Sequence, residues 1–456
     1  MLRLGHLLLT RALCFAAHAS SDLSWYEAPD NFTSTQQPGV PLKIEQATDL
    51  TNYTVPGGLS MSRIIYTTLD AHGRVLPASA YILWPYHALP ANDTSGYDVA
   101  LWAHGTSGVF QPCAPSNYRS LQYHFMVPYL LGNQGMAVVA PDYAGLGVGS
   151  SPNGTQIRHP WATSPANAND MAFALTAARA AFPQYLKPNG LFVALGHSQG
   201  GRAAWGFSER QAISPLAGYR GTVLIAPAGS PVKIIENAME DPTAAWAIPS
   251  LTLQTLIIDA VTAVYPSYNW AGYTNQTLDI YHNAFERYQV CLPTSNLLFG
   301  PIVANLTNPG WQNASEVKAW ADLTQVGNKR FAGPVLLIAG NANGSDGIIP
   351  YDLPISSAVL TTVNELCDMN EKGGWDQSLQ VVGFKNVTHF PVIQASENMW
   401  LDWVKQRVKG AAPKPRTGCS IESVEAFRGG KDSWKSLAPN FLVDWVNATL
   451  TWEYTL

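Results

Sequence analysis

Residues 191–204 read LFVALGHSQGGRAA, and this stretch decides how the rest of the chain is read. Leu191 to Leu195 is an unbroken apolar run, the pattern of a short strand buried on both faces. Gly196-His197-Ser198-Gln199-Gly200 follows at once, and Gly201 to Ala212 reads as a helix. A G-x-S-x-G pattern between a strand and a helix places its serine on a sharp turn. Such a turn leaves no room for side chains two residues before and two after, which accounts for Gly196 and Gly200. It also lifts the Ser198 hydroxyl clear of the backbone and aims the next N–H at the same spot. A glycine-rich turn carrying an ordinary serine is the plainer reading, and the flanking strand and helix argue against it.

A nucleophilic serine needs a base and an orienting carboxylate. On this strand–turn–helix arrangement they follow in the order serine, acid, histidine. Only His282 and His389 follow Ser198. His282 lies in a region without sheet rhythm, whereas His389 follows the last strand-like run, in Asn386-Val387-Thr388-His389-Phe390. His389 is therefore the expected base. The acid is expected in the loop after the run Pro334 to Ala339, where Asp346 is the first choice and Asp352 the runner-up. Developing negative charge needs N–H donors. The Gln199 amide is one. Asp142 and the pair Gly105–Thr106 are both placed to be the other, and position does not choose between them.

Moving outward, Met61 to Leu69 and Arg74 to Trp84 are rich in β-branched and aromatic residues and flank Asp70-Ala71-His72-Gly73, a hairpin pattern. Buried strands are expected at Val99 to Ala103, Met136 to Ala140, Thr222 to Ala226, Pro334 to Ala339 and Leu379 to Phe384. Helices are expected at Tyr118 to Leu131, from a cap at Ser164 with Pro165 in the first turn and Met171, Leu175, Ala178 and Phe182 inward, and from a cap at Ser396 with Trp400, Trp403, Val404 and Val408 inward. Strands alternating with helices make an α/β fold with a mostly parallel sheet covered on both faces. Gly145 to Ser150 is too poorly followed by a helix start to be a phosphate loop.

The alternation stops between Gly229 and Arg330, where apolar helical pieces such as Leu251 to Val264 replace it. The expected organisation is a leader at 1–19, a first core part at 20–228, an inserted helical cap at 229–330 and a second core part at 331–456. The insertion is either a cap over the catalytic face or a purely structural subdomain. Ligand sites at the strand C-termini favour the cap. Leu251, Leu253, Leu256, Ile257, Ile258 and Val261 either line an acyl tunnel there or pack on the core.

Of 456 residues, only 13% are charged, about half the usual share, and the net charge is −5. No basic cluster exists to meet nucleic acid. Met1 to Ala19 resembles a secretory leader, with Arg3 before an apolar stretch that Arg11 interrupts and small residues at Ala17-His18-Ala19. Ten N-x-S/T sequons occur, at Asn31, Asn52, Asn92, Asn153, Asn275, Asn305, Asn313, Asn343, Asn386 and Asn447. Loss of the leader removes Cys14 and leaves Cys113, Cys291, Cys367 and Cys419, too widely spaced for a metal knuckle and suited to two disulfides. A secreted, glycosylated, extracellular protein is expected, without metal, cofactor or stable membrane anchor. Its expected partners are a small-molecule or lipid ester and, transiently, a lipid interface.

Gly196 to Gly201, Pro141 to Gly145, Asp346 to Tyr351, Thr388-His389, Pro112 to Ser116 and Cys291-Leu292-Pro293 together resemble the secretory lipases, the fungal group of the yeast lipase A type. The resemblance spans nearly the whole mature chain. It implies an α/β-hydrolase fold with a helical lid, carboxylic-ester hydrolysis (lipase or esterase), and Asp142 as the second oxyanion donor. It also implies the disulfides Cys113–Cys291 and Cys367–Cys419. His197-Ser198-Gln199 departs from that group's tyrosine–serine–glycine. A deacetylase of a secondary metabolite or small ester, and a secreted serine peptidase on the same fold, are the rival enzymes. A non-catalytic binding protein is disfavoured because all three triad residues are kept.

Overall fold

The computed structural model describes residues 23–89, 96–122, 126–244, 246–292, 294–410 and 416–428. The leader at 1–19, Cys14, Asn92 and Asn447 lie outside these residues. Among the described residues ten strands form one sheet. They are β1 (Pro41–Glu45), β2 (Leu59–Leu69), β3 (Val75–Pro85), β4 (Val99–Ala103), β5 (Ala137–Pro141), β6 (Phe192–His197), β7 (Tyr219–Ile225), β8 (Val335–Asn341), β9 (Ser378–Lys385) and β10 (Gly418–Val424). Their spatial order is β1-β2-β3-β5-β4-β6-β7-β8-β9-β10. The β1–β2, β2–β3 and β3–β5 pairs are antiparallel, and every pair from β5 to β10 is parallel.

The apolar runs predicted as buried strands form the middle of this sheet because both of its faces are covered. Val99, Leu101 and Ala103 of β4 enter one hydrophobic cluster, while Ala100 and Trp102 enter the other. The first helix, α1 (Met126–Asn133), lies on the second face, and α2 (Ser164–Ala181) and α3 (Gln199–Ile213) lie on the first.

Between β7 and β8 the chain is helical. It forms α4 (Pro231–Glu240), α5 (Ala247–Leu251), α6 (Gln254–Val264), α7 (Asn275–Ile280), α8 (Thr294–Phe299) and α9 (Ser315–Thr324), with short 3₁₀ and π turns between them. After β8 come α10 (Val359–Lys372), α11 (Val392–Ala395) and α12 (Glu397–Val408). Trp400, Trp403, Val404 and Val408 of α12 face the second cluster, as their spacing predicts.

Three local expectations are corrected. Helix α1 begins at Met126 rather than Tyr118, because Pro115–Asn117 is a 3₁₀ turn and Leu121 and Gln122 take positive φ. Ser164 does not cap α2. Thr163 holds that position, and the Ser164 hydroxyl donates instead to the Thr324 carbonyl at 2.9 Å. Ser396 occupies the N-cap of α12 without capping, since its hydroxyl turns back to the Val392 carbonyl at 2.6 Å. The edge strands β1 and β10 have no counterpart in the sequence reading, because their half-exposed residues carry no long apolar pattern.

Candidate active site

Strand β6 ends at His197 and α3 begins at Gln199, so Ser198 is the turn itself. Its backbone stands at φ 59° and ψ −120°, a region costing on the order of 1–3 kcal/mol for a residue with a side chain. The Ser198 N–H donates to the Ile225 carbonyl of β7 at 3.0 Å, which helps hold the strained turn. A Cβ on Gly196 would stand 2.0 Å from the Gly200 carbonyl oxygen, and one on Gly200 would stand 1.9 Å from that of Ala103. Only glycine fits at both places.

The loops after β8 and β9 deliver two partners to this turn. The Ser198 hydroxyl lies 2.9 Å from His389 Nε2, and His389 Nδ1 lies 2.7 Å from Asp346 Oδ2. Asp346 Oδ1 accepts the Ile348 and Ile349 N–H groups at 2.9 and 2.7 Å, which fixes the carboxyl plane. The His389 N–H donates to the Asp346 carbonyl at 2.8 Å, locking the two loops together. Asp352, the runner-up acid, is exposed and accepts from Asn341 Nδ2 at 2.7 Å. His282 is exposed in the insertion and pairs with Glu286.

Gln199 is the first residue of α3, so its N–H lies among the first-turn amides that a helix leaves unpaired. Asp142 does not match the donor role implied by resemblance. Its N–H is taken by the Ser79 carbonyl at 2.9 Å. Its carboxyl accepts from the Ser79 and Ser116 hydroxyls at 2.7 and 2.6 Å and from the Ser116 N–H at 2.9 Å. Asp142 instead ties together the strands and loops beneath the site. The loop after β4 passes against Gly200. Among the described residues no group accepts the N–H of Gly105 or Thr106. That pair is the better placed second donor.

The chain's region from 100 to 399 matches the alpha/beta hydrolase family. It belongs to the alpha/beta hydrolase family. No curated protein matches the sequence. Among solved structures, Candida antarctica lipase A in its closed state is similar at a TM-score of 0.67 and 15% identity, over 89% of this chain and 90% of that one. A ligand-bound form of the rice cell wall degrading esterase LipA from Xanthomonas oryzae is similar at a TM-score of 0.57 and 17% identity, over 81% of this chain and all of that one. At these identities the likeness is one of fold.

In this alpha/beta hydrolase, both implied disulfides are present, Cys113–Cys291 and Cys367–Cys419. The first joins the loop after β4 to the insertion, where the Leu292 N–H also donates to the Ser107 carbonyl at 2.9 Å. All eight described sequon asparagines (Asn31, Asn52, Asn153, Asn275, Asn305, Asn313, Asn343 and Asn386) are exposed.

None of the six residues that could line a tunnel or pack on the core lines either of the two cavities below. Leu251, Leu256, Ile257, Ile258 and Val261 belong to the buried cluster that α2 and α3 share. A cavity of about 1130 Å³ lies between the β2–β3 turn, the 151–160 loop and the end of α6, and Ser198 is not in its lining. A smaller one of about 190 Å³ shares Gln156, Ile157 and Arg158 with it. His159 on its wall accepts from the Gln199 side-chain amide at 3.0 Å, since its Nδ1 donates to the Ala144 carbonyl. Burial holds His159 uncharged by pushing its pKa down to about 3.

Arg202 and His159 were missed by sequence reading. The buried Arg202 guanidinium donates to the carbonyls of Ala162 and Ala228 at 3.0 and 3.1 Å, and also to those of Gly229 and Thr324. It therefore clamps both ends of the insertion to α2 and α3. An arginine in an amphipathic helix carries no sign of such distant carbonyls.

Proposed function

We propose that this protein is a secreted serine carboxylic-ester hydrolase acting on lipophilic esters through an acyl-enzyme. The observation that carries the reading is the continuous Ser198–His389–Asp346 hydrogen-bond chain at the end of three sheet strands. Ser198 Oγ attacks the ester carbonyl carbon as its proton passes to His389 Nε2. The carbonyl oxygen takes the negative charge and meets the Gln199 N–H and that of Gly105 or Thr106. Collapse breaks the bond to the alcohol, which leaves with the proton from Nε2. Water, deprotonated by His389, then releases the carboxylic acid and restores Ser198. Asp346 holds the imidazole tautomer throughout.

The helical insertion at 229–330 acts as the cap over this face. Secretion is supported by the leader-like start, the two disulfides and the exposed sequons. The names of the similar structures, a lipase and a cell wall degrading esterase, support ester hydrolysis. Because the apolar residues of α6 pack in the core, a deacetylase with a small acyl pocket is the second reading.

Purified protein assayed on p-nitrophenyl esters of graded acyl length, beside an aminoacyl anilide, tests these readings. A kcat/KM that rises with chain length supports the lipophilic reading. An acetyl optimum replaces it with the deacetylase, and anilide cleavage without ester cleavage replaces both with a peptidase.

A further inference from the structure

The residue before the nucleophile has no part in the chemistry above, yet it reaches the base. His197 closes β6 and is fully buried. Its Nε2 lies 2.9 Å from the main-chain carbonyl oxygen of His389, and the two imidazole centroids are 4.7 Å apart. A carbonyl only accepts, so His197 Nε2 must carry a proton and donate it. We propose that His197 is a positioning residue for the His389 base, setting its distance from Ser198 through a hydrogen bond to its main chain.

The geometry makes this a coupling between neighbours in sequence and partners in space. Strand β6 is a rigid central element, paired with both β4 and β7. Its end delivers Ser198 forward and, from the adjacent residue, holds His389 from behind. The His389 N–H is already held by the Asp346 carbonyl at 2.8 Å, so the His197 bond fixes the other side of the same residue. Main chain and ring are then both constrained, and the Ser198–His389 distance follows from the pleat of one strand. Burial and the neighbouring His389 ring push the His197 pKa well down. An uncharged His197 places no second cation beside the imidazolium that forms on His389 during turnover.

This inference rests on the triad reading of the preceding subsection, and the test separates the two. Three variants are compared with the parent on one p-nitrophenyl ester: Ser198→Ala, His197→Phe and His197→Gln. Phenylalanine keeps the ring volume and removes the donor, while the glutamine amide returns an N–H near the Nε2 position. Misplacing a catalytic group by about 1 Å lowers turnover by up to about a hundredfold. His197→Phe is expected to lose that much kcat with KM within about twofold and to react with a fluorophosphonate correspondingly more slowly. His197→Gln is expected to recover most of the loss. Full kcat in His197→Phe while Ser198→Ala is inactive overturns the positioning role alone; full activity in Ser198→Ala overturns the triad reading itself. If His197→Phe does not fold, the parent labelled with ¹⁵N-histidine decides. A neutral His197 ring protonated at Nε2 at the working pH supports the proposal, and one protonated only at Nδ1 overturns it.

Discussion

His389 Nδ1 and Asp346 Oδ2 stand 2.7 Å apart with both side chains only 2% exposed, although 43 residues separate them in the chain. The approach is enforced from the backbone, where the His389 N–H donates to the Asp346 carbonyl. The carboxyl oxygen that faces away from the ring is filled by two amides, so Asp346 has one oxygen left for one partner.

Removing that partner leaves the imidazole free to take the wrong tautomer. Asp346→Asn is expected to lower kcat by about 10⁴-fold, and Ser198→Ala or His389→Ala by about 10⁴- to 10⁶-fold. Asp352→Asn, at an exposed position whose carboxyl accepts from Asn341, is expected to stay within a few-fold. Steady-state ester hydrolysis with fluorophosphonate labelling of Ser198 checks the series, and equal losses at Asp346 and Asp352 would contradict it.

The Arg202 clamp predicts a stability defect rather than a catalytic one. Arg202→Met removes the guanidinium from four buried carbonyls, of which only that of Thr324 keeps another donor, the Ser164 hydroxyl, a loss of about 3–5 kcal/mol for a buried hydrogen-bonded charge. Urea denaturation should show the drop, with residual folded protein retaining fluorophosphonate reactivity.

Each disulfide restricts the unfolded chain according to the loop it closes. Cys113–Cys291 spans 178 residues and Cys367–Cys419 spans 52. Replacing either pair with serine should cost about 4–5 kcal/mol, the longer loop about 1 kcal/mol more. Peptide mapping under non-reducing conditions should recover these two pairs. Free thiols would contradict the oxidised frame.

Asp259 gives a pH signature. Burial is the main reason that its pKa is pushed up to about 7, while the bond from Trp270 Nε1 at 2.7 Å works the other way. The folded protein therefore holds a proton that the unfolded chain releases near pH 4. That contribution is complete below about pH 4 and is lost as the pH rises through about 7. Asp259→Asn removes it. The stability of the parent relative to the variant should fall between pH 4 and 7, by at most about 1.4 kcal/mol per pH unit. Urea midpoints at pH 4.5, 6 and 7.5 check the slope; a gap between the two proteins that does not change with pH would contradict it.

The meeting of Ser198, His389 and Asp346 was legible in the sequence because its constraints are local or ordinal. Gly196 and Gly200 have no alternative when a Cβ meets a carbonyl within 2.0 Å, so the turn prints itself in the chain. The order serine, acid, histidine left only one histidine beyond the insertion. Alternating burial likewise showed the central strands, since both faces of β4 and β6 are covered. Tertiary structure alone showed that the Asp142 N–H is taken, because its acceptor is the carbonyl of Ser79, 63 residues away. It alone decided that α6 turns its apolar side chains into the core, which the same spacing would also allow for a tunnel. The partners of Arg202 and His197 belong to this second class. Helical period and strand alternation record which face of an element is apolar, while these bonds depend on which distant carbonyl the fold brings to within hydrogen-bond reach, and nothing in the local pattern carries that distance.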